Sequence, residues 1–301
     1  MVSLKTLIGP LVLDNPVIIA SGVLGNTSGS MRLLYEKGAG AVITKSTTRE
    51  AKDGNPNPTV VSTSSGILNA MGLPNPGIDE MIKEVQVLAR DGIPVIGSVA
   101  GFTIDEYVDV ADRFEEAGAI AVELNISCPH EKVGQIGQDC ALTSKLVKAV
   151  KRGVNVPVIV KLTPNVTDIV KIAVEAEKAG ADALTAINTV KGMSIDINTG
   201  YPILGNRVGG LSGSAIKPIA VRCVYDIYGD VKIPIIGVGG IAGWEDALEF
   251  FIAGSSAIQV GTALMYGYRI IEDIKKGIIR YMNKNRFTSV SELTGLAHRR
   301  E

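Results

Sequence analysis

Short apolar runs alternate with amphipathic stretches along this chain, and the runs come in two kinds. One kind places a proline before a β-branched segment: "NPVIIASG" at 15, "IPVIGSVAG" at 93, "VPVIVKLTP" at 156 and "IPIIGVGGI" at 233. The other follows a small-residue turn: "GAGAVITKS" at 38, "AGAIAVELNIS" at 117, "AGADALTAINT" at 179 and "AGSSAIQVGT" at 253. In chain order the two kinds interleave strictly and predict eight strands. Continuous β-branched runs fit strands buried on both faces, the condition of a parallel sheet. Between most of them lie helical periods, such as "DEYVDVADRFEEAG" at 105 and "DIVKIAVEAEKAG" at 168. Gly118 and Gly180 stand where left-handed helix termini are expected.

Eight parallel strands with crossover helices close most simply into a barrel, whose inner layers are filled by odd and even strands in turn. The two kinds of run match that layering, whereas an open doubly wound sheet requires neither eight strands nor two kinds. The expectation is an α/β chain, a single (β/α)8 TIM barrel spanning residues 1–301. "LKTLIGPLVLDNP" reads as a short N-terminal β-hairpin closing the bottom. Residues 46–77 and 188–213 are too long for ordinary connections and leave the strand ends where barrel active sites form. The prolines of "NAMGLPNPG" stiffen the first of them, which favours a functional loop.

Composition narrows the partners. Thirty basic residues nearly balance thirty-one acidic ones, so no basic field favours nucleic acid or an acidic membrane. Three cysteines without a CxxC pair argue against a disulfide framework and for a reducing, cytoplasmic setting. The first strand-like run begins close to Met1, which is read as leaving no room for a signal peptide, and no apolar run is long enough to span a bilayer.

The predicted strand ends carry Ser21, Lys45, Ser46, Ser98, Asn125, Ser127, Cys128, Lys161, Asn188 and Thr189. "GVGGIAG" at 237 and "QVGTALM" at 259 follow strands seven and eight, the usual phosphate site of a barrel. Tight turns alone would also explain these glycines. Gly237, Gly239 and Ala242 approximate a dinucleotide fingerprint, but in the seventh unit rather than the first, which rules against that fold. Lys45 and Lys161 beside a phosphate site suit a ligand that gains negative charge away from its phosphate, as a flavin does on reduction. Solvated strand-end lysines are the plainer alternative. Asn69, Asn125 and Asn188 could read a flat ring of alternating carbonyl and N–H groups.

Cys128 and His130, in "ELNISCPHEK", admit four readings. A zinc site lacks further ligands, since the other histidine is His298. A covalent nucleophile would use His130 as base, although no group that orients it is evident. Inert packing and proton transfer beside a carbonyl both stay open.

"ELNISCP", "NAMGLPNPG", "ITKS", "VKLTPNV", "INTVKGM", "GGLSG", "GVGGI" and "QVGTA" together resemble the catalytic subunit of class 1B dihydroorotate dehydrogenase, from end to end of the chain. The resemblance implies a TIM barrel holding one FMN and oxidation of (S)-dihydroorotate to orotate in pyrimidine biosynthesis. It implies Cys128 as the base that takes the C5 proton while hydride leaves C6, with Lys45 beside it. Lys45, Asn69, Met71, Gly72, Leu73, Asn125, Asn188 and Thr189 would hold the pyrimidine. Ser21, Lys45, Ser46, Asn125, Lys161, Ile187, Gly213, Gly239, Gly240, Gly261 and Thr262 would contact FMN. His130 and Ser98 stand where the family usually has asparagines, on the substrate and FMN sides respectively.

The chain has too few cysteines for an iron–sulfur cluster of its own. The resemblance therefore implies a partner subunit carrying FAD and a 2Fe-2S cluster that passes electrons to NAD. The assembly would be a heterotetramer of two catalytic and two electron-transfer subunits, built around a homodimer of this chain. The alternatives are a fumarate-linked class 1A enzyme, a pyrimidine reductase of the dihydropyrimidine dehydrogenase type, and a non-redox phosphate-binding lyase or isomerase barrel. No metal is expected on this chain.

Overall fold

The computed structural model describes residues 2–127 and 136–300. The chain begins with β1 (Thr6–Ile8) and β2 (Leu11–Leu13), an antiparallel hairpin. It continues through β3 (Val17–Ile19), α1 (Ser28–Glu36) and β4 (Ala41–Ile43). An excursion then forms β5 (Val60–Thr63) and β6 (Gly66–Asn69) before α2 (Ile78–Arg90). Regular alternation follows with β7 (Val95–Val99), α3 (Ile104–Glu116), β8 (Ala121–Asn125), α4 (Cys140–Gly153), β9 (Val158–Leu162), α5 (Ile169–Lys178) and β10 (Ala183–Ala186). A second excursion holds β11 (Val190–Met193) and β12 (Val208–Ser212). The last units are α6 (Lys217–Tyr228), β13 (Ile235–Val238), α7 (Trp244–Ala253), β14 (Ser255–Val260) and α8 (Ile270–Asn285).

Eight of these strands close into a parallel barrel in the order β3-β4-β7-β8-β9-β10-β13-β14, with β14 returning to β3. Helices cover the outside, as the period-3.6 stretches require. On α3, Tyr107, Val110, Ala111 and Phe114 are buried, and Thr103 caps the N-terminus by accepting from the Glu106 N–H. Gly118 and Gly180 have φ of +94° and +100°, the left-handed stops expected of them.

Side chains alternate across each strand, so the barrel interior is read off at every second residue. Near the bottom, Ile18, Ala41, Ile96, Ala121, Ile159, Ala183 and Ala257 pack with Ile8, Leu11 and Leu13 of the hairpin. The hairpin is therefore the plug that its apolar residues predict. Two positions further along the strands the interior turns polar, with Glu123, Lys161, Thr185 and Gln259. Two more bring Asn125, Thr163 and Ile187 to the mouth.

The two long excursions are not irregular. Their strands pair with one another in a four-stranded antiparallel sheet, β11-β12-β6-β5. Asn75 pins the return of the first excursion: Oδ1 accepts from the N–H groups of Thr48 and Gly77, and Nδ2 donates to Thr48 Oγ1 and the Leu73 carbonyl.

Candidate active site

The C-terminal strand ends and the four-stranded sheet enclose a cavity of about 1280 Å³. Single small ligands usually occupy ~300–1,000 Å³, so there is room for a nucleotide-sized ring system with a second small molecule against it. Its wall contains Ser21, Lys45, Ser46, Asn69, Met71, Gly72, Leu73, Asn125, Lys161, Ile187, Asn188, Thr189, Gly213, Gly239, Gly240, Gly261 and Thr262. Residues far apart in sequence thus meet on one surface.

Lys45 follows β4 and points into this space. Its ammonium makes no hydrogen bond or ion pair with a described residue, and burial holds its pKa below the usual lysine value. A half-buried cation without a partner favours an anion or a charge-accepting carbonyl beside it. Lys161 is treated differently by the fold: its ammonium donates to Gln259 Oε1 at 3.0 Å, Glu123 Oε1 at 3.3 Å and Ser21 Oγ at 3.4 Å.

The asparagines form a chain. Asn188 Nδ2 donates to Asn125 Oδ1 at 3.2 Å, and Asn125 Nδ2 donates to Ser46 Oγ at 3.1 Å. Ser46 Oγ in turn shares a hydrogen bond with Ser98 Oγ at 2.9 Å. Asn69 stands across the cavity on β6 and donates to the Gly210 carbonyl. Asn125 and Asn188 are held at both amide ends, their Oδ1 atoms also accepting from the N–H groups of Ser127 and Thr189, so each is fixed in orientation and offers a ligand its second amide hydrogen.

The glycines face the far end. Gly213, Gly239 and Gly240 have φ of +93°, +131° and +77°. A Cβ on Gly240 would lie 2.8 Å from the backbone N of Lys217 and 2.9 Å from the Gly213 carbonyl oxygen. Gly261 has an ordinary negative φ, and a Cβ there would touch only Ala20 Cβ, at 3.4 Å. Packing leaves room for a side chain at 261, and its absence keeps the wall open to a ligand. Backbone N–H groups in such turns suit phosphate oxygens. Lys45, unpaired among the described residues, and this glycine cradle together fit a phosphorylated flavin.

The structure corrects one expectation of direct contact. Ser98 is fully buried and absent from the cavity wall; it lies behind Ser46, whose hydroxyl it holds. A serine is too short to reach past that hydroxyl. Cys128 and His130 lie outside the described residues. Of the other cysteines, Cys140 opens α4 and Cys223 is buried on α6, where burial pushes its thiol pKa up; neither lines the cavity. Glu123, Thr185 and Gln259 were missed from sequence. Their signal was present, since charged or amide side chains interrupt "AVELN" and "AIQVGT" at inward positions. Among the described residues no group of three or more metal-binding side chains is assembled, and no helix is long and apolar enough to cross a membrane.

Comparison with known proteins agrees with this geometry. In structure, the chain superposes on the crystal structure of DHODH in complex with ferulenol from Eimeria tenella, with a TM-score of 0.87 at 22% identity, covering 98% of this chain and 89% of that one. In sequence, it is 50% identical over 293 residues to the catalytic subunit of dihydroorotate dehydrogenase B (NAD(+)) from Methanocella arvoryzae, covering 97% and 96% of the two chains. The protein of the same name from Methanothermobacter thermautotrophicus is 49% identical over 300 residues, with 98% of each chain covered. For that of Pyrococcus furiosus the figures are 47% over 300 residues and 99% of each chain. The dihydroorotate dehydrogenase family profile matches residues 3–282, and the chain belongs to that family.

Proposed function

We propose that this chain is the catalytic subunit of an NAD-linked dihydroorotate dehydrogenase, oxidising (S)-dihydroorotate to orotate in pyrimidine biosynthesis. The observation that carries the reading is the cavity in which a half-buried lysine with no partner among the described residues, an asparagine chain and a glycine cradle converge. Near-full-length identity to proteins named for this activity supports it.

In this reading Gly213, Gly239, Gly240, Gly261 and Thr262 hold the FMN phosphate, while Ser21, Ser46, Lys161 and Ile187 contact the rest of the cofactor. FMN, when bound, supplies the acceptor for the hydride that leaves C6 of dihydroorotate. Asn69, Asn125, Asn188 and Thr189 orient the pyrimidine through its carbonyl and N–H groups. Met71, Gly72 and Leu73 close over it from the proline-stiffened loop. Cys128 takes the C5 proton, and His130 adds a hydrogen bond to the substrate. Lys45 places its positive charge where negative charge develops. A partner subunit carrying FAD and a 2Fe-2S cluster would take the electrons onward, in a heterotetramer built on a dimer of this chain.

Anaerobic addition of dihydroorotate to the yellow, FMN-loaded protein is expected to bleach its visible absorbance. Cys128→Ala should keep FMN while slowing bleaching by about 10²–10⁴-fold, the range of a lost general base. Bleaching by dihydrouracil alone, or protein that takes up no FMN, would overturn the assignment.

A further inference from the structure

We propose that Glu123, which has no place in the cavity wall, is a positioning residue that sets the charge and aim of Lys161 beneath the flavin; this rests on the reading of the site as an FMN site. Glu123 sits on β8 two residues before Asn125, so alternation turns both side chains inward, with Glu123 one layer deeper. It is 0% exposed, and Lys161 beside it is 5% exposed.

Three donors converge on its two oxygens. Lys161 Nζ reaches Oε1 at 3.3 Å, while Thr185 Oγ1 at 2.8 Å and Gln259 Nε2 at 2.5 Å reach Oε2. Neither the ammonium nor the amide N–H group can accept a proton in return, so the arrangement suits a carboxylate. Gln259 closes the ring, since its Oε1 accepts from Lys161 while its Nε2 donates to Glu123. The four residues come from β8, β9, β10 and β14 and tie opposite sides of the barrel together.

The consequence is chemical as well as structural. A charged pair this deep costs desolvation that a neutral layer would avoid. Its position explains its retention: Lys161 reaches the cavity wall, whereas Glu123 does not. The carboxylate offsets the unit charge that Lys161 would otherwise present, and with Gln259 it holds two of the three ammonium donors, which aims the third, now 3.4 Å from Ser21 Oγ, at the cavity. Lys161 then acts on the cofactor as an aimed hydrogen-bond donor of reduced net charge, in contrast to the uncompensated Lys45.

Glu123→Gln keeps the shape and removes the anion; Glu123→Asp keeps the anion and changes the shape. The measurement is the midpoint potential of bound FMN, by equilibration with redox dyes. Glu123→Gln is expected to shift the potential to a more positive value, because net positive charge beneath the flavin increases. Glu123→Asp is expected to lie closer to wild type. The reverse order, with glutamine near wild type and aspartate displaced, would make Glu123 a space-filler and overturn the proposal.

Should Glu123→Gln not fold, Thr185→Val is measured in its place, which removes a hydrogen bond from Glu123 Oε2 and leaves Lys161 intact. Loosening the carboxylate is expected to move the potential, and no movement overturns the proposal. The two readings fail separately. Wild-type protein that is not bleached by dihydroorotate sinks the functional assignment, whereas normal bleaching with an unmoved potential in the variants sinks only the role of Glu123.

Discussion

Lys45 shows at a single residue how a binding site is held in tension with stability. Its ammonium is buried without a described partner, so its folded-state pKa lies below that of the unfolded chain. Between those two values the unfolded chain binds more protons, and the stability of ligand-free protein rises with pH through that window. Below the window the penalty is present in full. Lys45→Met is therefore expected to raise the melting temperature of FMN-free protein at neutral pH and to remove this alkaline rise. Turnover should fall by about 10²–10³-fold, as when a donor facing developing charge is lost. Thermal scans across pH, paired with steady-state rates, check both parts. An unchanged melting temperature would mean that the ammonium finds a partner in solution.

At the scale of elements, the barrel strands were legible because each buries both faces and writes that fact as a continuous apolar run. The covering sheet was not. Its β5, "VVST", and β6, "GILN", have no local partner pattern beyond each other. The pairing of β6 with β12 joins Asn69 to Gly210, which lie 141 residues apart. Local periodicity cannot express a contact of that range, so the excursions read only as long loops rich in glycine and proline. The polar barrel layer was hidden for a related reason: Glu123 and Gln259 each interrupt a run once, and only closure of the barrel brings them together. Cys128 was marked by its sequence neighbours alone, and it lies outside the described residues.

The phosphate cradle gives the test at this scale. Gly240→Ala meets both a positive φ and backbone atoms of Lys217 and Gly213 within 3 Å. The conformation alone costs about 1–2 kcal/mol. Fluorescence titration is expected to show FMN binding weakened about 10-fold or more, the equivalent of 1.4 kcal/mol. Equal affinity would place the phosphate elsewhere.

Across the whole molecule, the two largest apolar clusters among the described residues divide the barrel's core, beside a small third one of Leu68, Ala70 and Leu204. One joins the outer faces of the strands to the helices, and the other fills the lower barrel together with the hairpin. Leu13 is 2% exposed within the second cluster, far along the strands from the mouth. Leu13→Ala is expected to cost about 2–5 kcal/mol in urea unfolding while leaving the affinity for FMN unchanged. A matching loss of affinity would show that the plug shapes the mouth.

The pairing of β6 with β12 also orders events during synthesis. Until residues 208–212 have left the ribosome, β6 carries an open edge, and the mouth has neither its second wall nor its last two staves. Cofactor loading therefore belongs to the end of translation. In the interval that waiting edge, like the barrel edges left open at β3 and β10, is exposed to pairing with the wrong strand.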